Sequence, residues 1–259
     1  MVELLFLGTS AGIPTAKRHS SGTAIKKDDK LYLIDCGGPV CSQLKKMNED
    51  PKNIEAVFIT HWHPDHAGGL PILIQDLQLS GRTKSLTIYG PKGTDRKVKL
   101  LQNIFIIPQE IYNFELKTKE YDEKTVYSDE SIDFRFFKTR HLSDDYWKQL
   151  DAKHNFEIDP VAYGFMVQFD GKKIVFSGDL LNSDDLIPVL PGAELVIHEF
   201  GHINPNLLRT FTRKHDIPKL IINHIHHDWD SRDQELKEVI SAEFQGEVHI
   251  AHDLWRTTI

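Results

Sequence analysis

Five short apolar runs constrain this chain more than any other feature, because each one leads into a side chain that can ionise or bind a metal. FIT leads into His61, FKT into Arg140 and His141, VFSG into Asp179, LVI into His198 and Glu199, and IIN into His224. Short apolar runs bounded by turn residues read as buried strands. Strands that repeatedly finish on polar groups build a site along one sheet edge, as α/β proteins do with segments distant in sequence. An α/β fold with chemistry at its strand ends is therefore expected.

The rest of the chain alternates in the same way. VELLFLG opens it, followed by the Gly/Ser-rich loop GTSAGIPTAKRHSSG. TAIKK and KLYLID flank Asp28-Asp29 and predict a hairpin. AVFIT, SLTIYG, IDFRFFKT, GFMVQF, KIVFSGD, ELVIHEF, KLIINH and EVHIAHD are further strands, with a tight turn at Phe169-Asp170-Gly171-Lys172. Helices are predicted over 40–47, 70–79, 94–102, 206–214 and 232–244. There is no low-complexity tract, heptad run or linker, so one layered α/β domain over residues 1–259 is expected.

Composition narrows the function classes. The net charge is −7 with the signs interspersed, which argues against a general polyanion binder. Cys36 and Cys41 are the only cysteines, so no disulfide framework is expected and a reducing cytoplasm is the natural home. The start, MVELLFLGTS, lacks the basic region of a signal peptide. No run reaches the roughly 18 apolar residues of a spanning helix. A soluble cytoplasmic protein follows as the expectation.

The densest cluster is THWHPDHAGG, where His61, His63, Asp65 and His66 fall within six positions. Such groups, buried together without a cation, would suffer repulsion and desolvation. Neutral imidazole with carboxylate suits zinc and, less selectively, manganese or iron. There are enough donors for two metals, and a carboxylate such as Asp179 is the kind of group that bridges a pair. His19, His154, His215, His249 and His252 read as structural, and so do His226 and His227, although they adjoin His224.

H-x-H-x-D-H followed by Gly-Gly, then His141, the Asp of SGD and the His of INH, resembles the metallo-β-lactamase superfamily along nearly the whole chain. The resemblance implies an αββα sandwich with two Zn²⁺ per chain, Mn²⁺ being the alternative metal. His61, His63 and His141 would hold one ion and Asp65, His66 and His224 the other, with Asp179 bridging. FLGTSAGIP and His198-Glu199-Phe200 are similar to the RNase Z branch, a phosphodiesterase lineage. Its additional histidine maps to His202, which stands 22 residues before His224. RNase Z carries a basic arm, usually inserted between the segments that hold His141 and Asp179 here. In this chain those residues are only 38 apart, the segment between them is acidic, and His224 is followed by Ile225-His226-His227-Asp228. A large folded RNA is therefore disfavoured.

The short armless relatives that remain open cyclic phosphates. The phosphoribosyl cyclic phosphate diesterases have a cysteine-rich zinc site near their N-terminus that this chain lacks. The resemblance is closer to the anti-Pycsar cyclic nucleotide phosphodiesterases and implies a homodimer acting on 3′,5′-cyclic mononucleotides. In that reading Asp65 also orients the nucleophile, and His202, oriented by Glu199, protonates the leaving oxygen. A supporting role for Glu199 and His202 around the ligands is the bland reading. The pocket walls are expected in loops around residues 10–19 and 144–159. A tRNA 3′-processing endonuclease, a hydrolase of esters, lactones or thioesters, and an inactive metal-binding scaffold are the alternatives.

Overall fold

Strand-forming sequence and Cα proximity divide the chain into two units, each carrying one mixed sheet. The computed structural model describes residues 2–143, 145–154 and 161–259. The first unit holds the residues up to Tyr121 together with His252–Ile259, and the second holds Asp122–Ala251.

In the first unit, β1 (Val2–Gly8), β2 (Gly22–Lys27) and β3 (Lys30–Ile34) form an antiparallel meander. The β2–β3 turn falls at the predicted Asp28-Asp29, with Asp28 at φ 55°. β4 (Ile54–Phe58), β5 (Leu86–Gly90) and β6 (Leu116–Glu120) continue the sheet in parallel from β3. Its other edge is closed by β14 (Trp255–Thr258) on β1, where Trp255 stacks on Phe6 at 5.2 Å. The helices are α1 (Val40–Lys46), α2 (Pro64–Ala67), α3 (Leu70–Leu79) and α4 (Thr94–Phe105). α3 buries Leu70, Leu73, Ile74 and Leu77, the i, i+3, i+4, i+7 stripe of a helix packed on a sheet. Each such side chain contributes roughly 1.5–3 kcal/mol on burial.

In the second unit, β7 (Val126–Ser128), β8 (Asp133–Thr139), β9 (Ala162–Phe169) and β10 (Lys172–Phe176) are antiparallel. β11 (Leu195–Phe200), β12 (Lys219–Ile225) and β13 (Glu247–Ile250) extend the sheet in parallel from β10. The helices are α5 (Asp145–His154), α6 (Pro205–Lys214) and α7 (Asp233–Ser241). Leu208 and Phe211 of α6 and Leu236 and Ile240 of α7 join Leu220 and Ile222 of β12 in one core.

The predicted elements all form, with shifted ends. α4 runs to Phe105 rather than 102, and α7 is shorter than expected. α2, α5, β6, β7 and β14 are additional to the predicted elements. β6 (LKTKE) and β14 (WRTT) are edge strands with mostly polar side chains, so they lack an apolar signature. Among the described residues no helix is long and apolar enough to cross a membrane.

Candidate metal centre

In the first unit the donors grow out of two parallel neighbours. The chain leaves β3 and β4 side by side, and Asp35 N donates to Phe58 O at 2.9 Å. Asp35, buried and at φ 59°, turns its carboxylate toward the loop after β4. It accepts from Thr60 N at 2.8 Å, from the Thr60 hydroxyl at 3.0 Å and from His66 Nδ1 at 2.7 Å. A carboxylate only accepts, so His66 carries its proton on Nδ1 and Nε2 is its basic nitrogen. The Thr60 hydroxyl, donating to Asp35, can accept from His61 Nδ1 at 3.0 Å. His61 Nε2 is then the basic nitrogen, and it lies 2.9 Å from His63 Nδ1.

His63 caps α2 with Pro64 in its first turn, which puts Asp65 and His66 on the next two helical positions. Asp65 Oδ2 lies 3.4 Å from His66 Nε2. The cluster thus separates into two pairs, His61 with His63 and Asp65 with His66. A Cβ at Gly37 would stand 1.6 Å from Asp65 O, so the loop after β3 can approach α2 only as glycine.

In the second unit the donors come from strand ends that share a direction. β9 is antiparallel to both β8 and β10, and β10, β11 and β12 are parallel, so β8, β10, β11 and β12 end on one edge. His141, Asp179, Glu199, His202 and His224 all belong to that edge. Gly178 precedes Asp179 at φ 58°, and a Cβ there would meet Tyr163 O at 2.2 Å. His224 is the extra residue of a β-bulge, since Asn223 pairs with Glu199 and Ile225 with Phe200. Its φ of 51° is rare for a histidine and re-aims the side chain out of the regular pleat.

Asp179 faces a different imidazole with each oxygen. Oδ1 lies 3.3 Å from His224 Nε2, and Oδ2 lies 3.7 Å from His141 Nε2. His202 Nδ1 is 3.8 Å from Oδ2, and the His202 ring centre is 4.6 Å from that of His141. Glu199, also buried, accepts from Gly201 N at 2.6 Å and His202 N at 3.0 Å with Oε2. Its Oε1 accepts from Leu180 N at 3.2 Å and stands 3.3 Å from His202 Nδ1.

His198 alternates to the other face of β11 and is not among these donors. Burial lowers its pKa. The neutral ring gives Nδ1–H to Glu199 O at 2.5 Å and meets Ser183 Oγ with Nε2 at 3.0 Å.

The donor set fits a transition metal. Two atoms each bound at about 2.0–2.1 Å to a tetrahedral ion lie ~3.3 Å apart. The within-unit separations of 2.9, 3.4, 3.3 and 3.7 Å bracket that value. Imidazole nitrogen and carboxylate oxygen are the donors of zinc, manganese and iron sites. The cysteines are not part of it. Both are buried free thiols; burial, reinforced by Asp76, pushes Cys41 up to about 12, and burial pushes Cys36 well above the usual thiol value.

The other histidines that the sequence reads as structural each have neighbours of their own where described. His19 pairs with Asp253 at 2.7 Å, His215 packs on Phe211 with ring centres 4.6 Å apart, His249 meets Glu247 at 2.5 Å and His252 meets Asp253 O at 3.1 Å. His226 and His227 gather with Asp228 in an exposed group, where His226 Nδ1 accepts from Asp228 N at 3.3 Å. The loop over 10–19 comes near the donors, since a Cβ at Gly12 would lie 3.9 Å from Asp65 Oδ2. Residues 144 and 155–159 of the other expected wall, and the side chain of His154, lie outside the described residues. Sequence reasoning missed Asp35 and Thr60. KLYLID ends on Asp35 just as the other strands end on their donors, and that signal was there to read.

The family profile described as "Anti-Pycsar protein Apyc1" matches residues 2–210. Ribonuclease Z of Methanocaldococcus jannaschii is 35% identical over 54% of this chain and 44% of its own length, so the match spans less than half of that relative. Ribonuclease Z of Thermoplasma acidophilum is 26% identical over 86% of each chain. The metallo-β-lactamase fold protein YhfI from Bacillus subtilis superposes with a TM-score of 0.79 at 21% identity over 100% of both chains. The chain has the metallo-β-lactamase fold, as its sequence led one to expect.

Proposed function

This chain belongs to the anti-Pycsar protein Apyc1 family, and from that premise we propose that it is a metal-dependent phosphodiesterase hydrolysing 3′,5′-cyclic mononucleotides to linear monophosphates. The observation that carries the metal reading is Asp179, with one oxygen toward His224 and the other toward His141. In this reading two zinc ions, or manganese in their place, are held by His61, His63 and His141 and by Asp65, His66 and His224, with Asp179 bridging. When bound, such ions acidify water and neutralise charge on the non-bridging phosphate oxygens.

The chain's own residues do the rest. Asp35 and Thr60 hold His61 and His66 in the tautomers that present Nε2. Asp65 orients the attacking water in addition to its ligand role. His202, held beside Glu199, donates a proton to the departing ribose oxygen. The segment from His141 to Asp179 is too short for the basic RNA-gripping arm of the RNase Z branch, and this supports a small substrate.

A homodimer fits the surface of the first unit. Leu100, Ile104, Phe105 and Ile106 are exposed within and just after α4, a concentration of apolar side chains that a second copy would cover. Two buried free thiols suit a reducing cytoplasm.

The test is a substrate panel on metal-reconstituted protein: 3′,5′-cyclic mononucleotides, bis(p-nitrophenyl) phosphate, pre-tRNA and a lactone. Turnover of cyclic nucleotides with little pre-tRNA trimming is expected. Efficient trimming beside inert cyclic nucleotides would assign the tRNA reaction instead.

A further inference from the structure

The last strand of the chain brings a buried carboxylate back to the loops of the first unit. Leu254, at φ 64°, donates its N–H to Phe6 O at 2.8 Å and leads into β14, which pairs with β1. The residue before it, Asp253, therefore sits beside the exit of β1. Its side chain is buried and accepts four hydrogen bonds. Oδ1 accepts from Thr9 N at 3.0 Å and from the Thr9 hydroxyl at 2.8 Å. Oδ2 accepts from His19 N and His19 Nδ1, both at 2.7 Å. Arg18, also buried, donates to the Thr9 hydroxyl at 2.8 Å and so joins the same network. One oxygen holds each stem of the loop that joins β1 to β2.

This anchor is not needed to close the loop. β1 and β2 already pair as far as Gly8 with Gly22, and Ser10 N donates to His19 O at 2.9 Å. What the carboxylate adds is the direction in which the closed loop stands. Inside the loop, the Ser10 hydroxyl donates to Ile13 O at 2.6 Å and Thr15 N to Arg18 O at 2.8 Å, so the tip is braced on its own stems. The tip residues Gly12, Ile13 and Pro14 are exposed. Gly12 nevertheless comes up to the donor cluster, where a Cβ on it would lie 3.9 Å from Asp65 Oδ2. A surface loop with so little apolar burial at its tip belongs to the least stable parts of a fold unless something ties it down.

We infer that Asp253 is a positioning residue of the candidate site: it clamps the 9–19 loop in the direction that makes residues 12–14 a wall beside Asp65. The inference rests on the phosphodiesterase reading, in which substrate is held next to Asp65. None of Thr9, His19 and Asp253 belongs to the donor set, so loss of the clamp loosens the wall and leaves the metal donors in place. Its effect falls on substrate binding.

The experiment compares Asp253→Asn, His19→Ala and His19→Asn with wild type, on 3′,5′-cyclic GMP and on bis(p-nitrophenyl) phosphate, after metal reconstitution. Asparagine at 253 keeps one acceptor oxygen but sets an NH₂ group against a stem N–H. KM is expected to rise roughly tenfold, the worth of a hydrogen bond to a charged group. Loss of uniform binding leaves kcat within about threefold, and metal content should not change. His19→Ala removes the ring bond and keeps the backbone one, so KM should rise less. His19→Asn places an amide nitrogen where Nδ1 stood and should restore the wild-type KM. Trypsin cleavage after the exposed Lys17 reads the loop without activity. It should quicken in Asp253→Asn and His19→Ala and stay slow in His19→Asn. A purely structural Asp253 would lower the active fraction instead, so a fall in kcat at unchanged KM overturns the inference. Unchanged cleavage at Lys17 in Asp253→Asn overturns it as well. Wild type inert on cyclic GMP but active on the other diester removes the cyclic nucleotide reading only; the clamp then stands or falls by KM on that diester and by the trypsin rates.

Discussion

The two donor regions solve one problem in different ways. In the first unit, His61, His63, Asp65 and His66 are sequence neighbours held by a loop and one turn of helix. In the second, His141, Asp179, His202 and His224 are scattered over more than eighty residues and meet because their strands end on one edge. Each region has a buried carboxylate at its base. Asp35 receives an imidazole Nδ1 and fixes the tautomer of a donor, whereas Glu199 receives three backbone N–H groups and fixes the course of the chain around His202. The same group type thus serves as a ligand's partner in one place and as a loop anchor in the other.

The harshest way to break the comparison is at Asp179, a buried carboxylate whose two oxygens face two different imidazoles of the strand-end set. Asp179→Ala should lose metal and lower activity by roughly 10³-fold or more, beyond the loss of a single transition-state contact. Metal analysis alongside turnover checks it; retained metal would mean that Asp179 does not bridge.

His202→Ala should lower cyclic nucleotide turnover by about 10²–10⁴-fold with metal content unchanged. A p-nitrophenolate leaving group needs little protonation, so loss on bis(p-nitrophenyl) phosphate should be much smaller. Equal losses on both substrates would remove the acid role, and loss of metal would make His202 a ligand. His224→Ala is the contrast, expected to weaken metal retention and both reactions together.

Swapping the anchors sharpens the comparison further. Asp35→Asn should weaken metal retention about 10–100-fold against a chelator, the usual effect of removing a histidine ligand's partner. Glu199→Gln should keep its metal and slow only the reaction that needs His202. The same outcome in both variants would erase the distinction between the two carboxylates. The smallest effect is expected at the exposed end of α4, where Ile104→Glu should shift a dimer toward monomer in sedimentation while leaving the metal content unchanged.

What was legible follows the same division. The His61–His66 cluster announces itself because its donors are adjacent in sequence. The second set could be placed from strand ends alone, since apolar runs finishing on His or Asp predict a shared edge once the strands are parallel. That rule over-reached at His198, which alternates to the opposite face of β11, and it went unused at Asp35. Three features had no sequence signal: the left-handed backbone of His224, which depends on a bulge formed with β11, the polar edge strands β6 and β14, and the backbone hydrogen bonds of Glu199. Each depends on a neighbouring strand or loop rather than on a local pattern.

The most direct measurement is the transition-metal content of the reconstituted protein, counted by elemental analysis per chain. The account predicts close to two ions per chain, because the proposed ligand set provides for two, with Asp179 as their proposed bridge. One ion or none after reconstitution would contradict it.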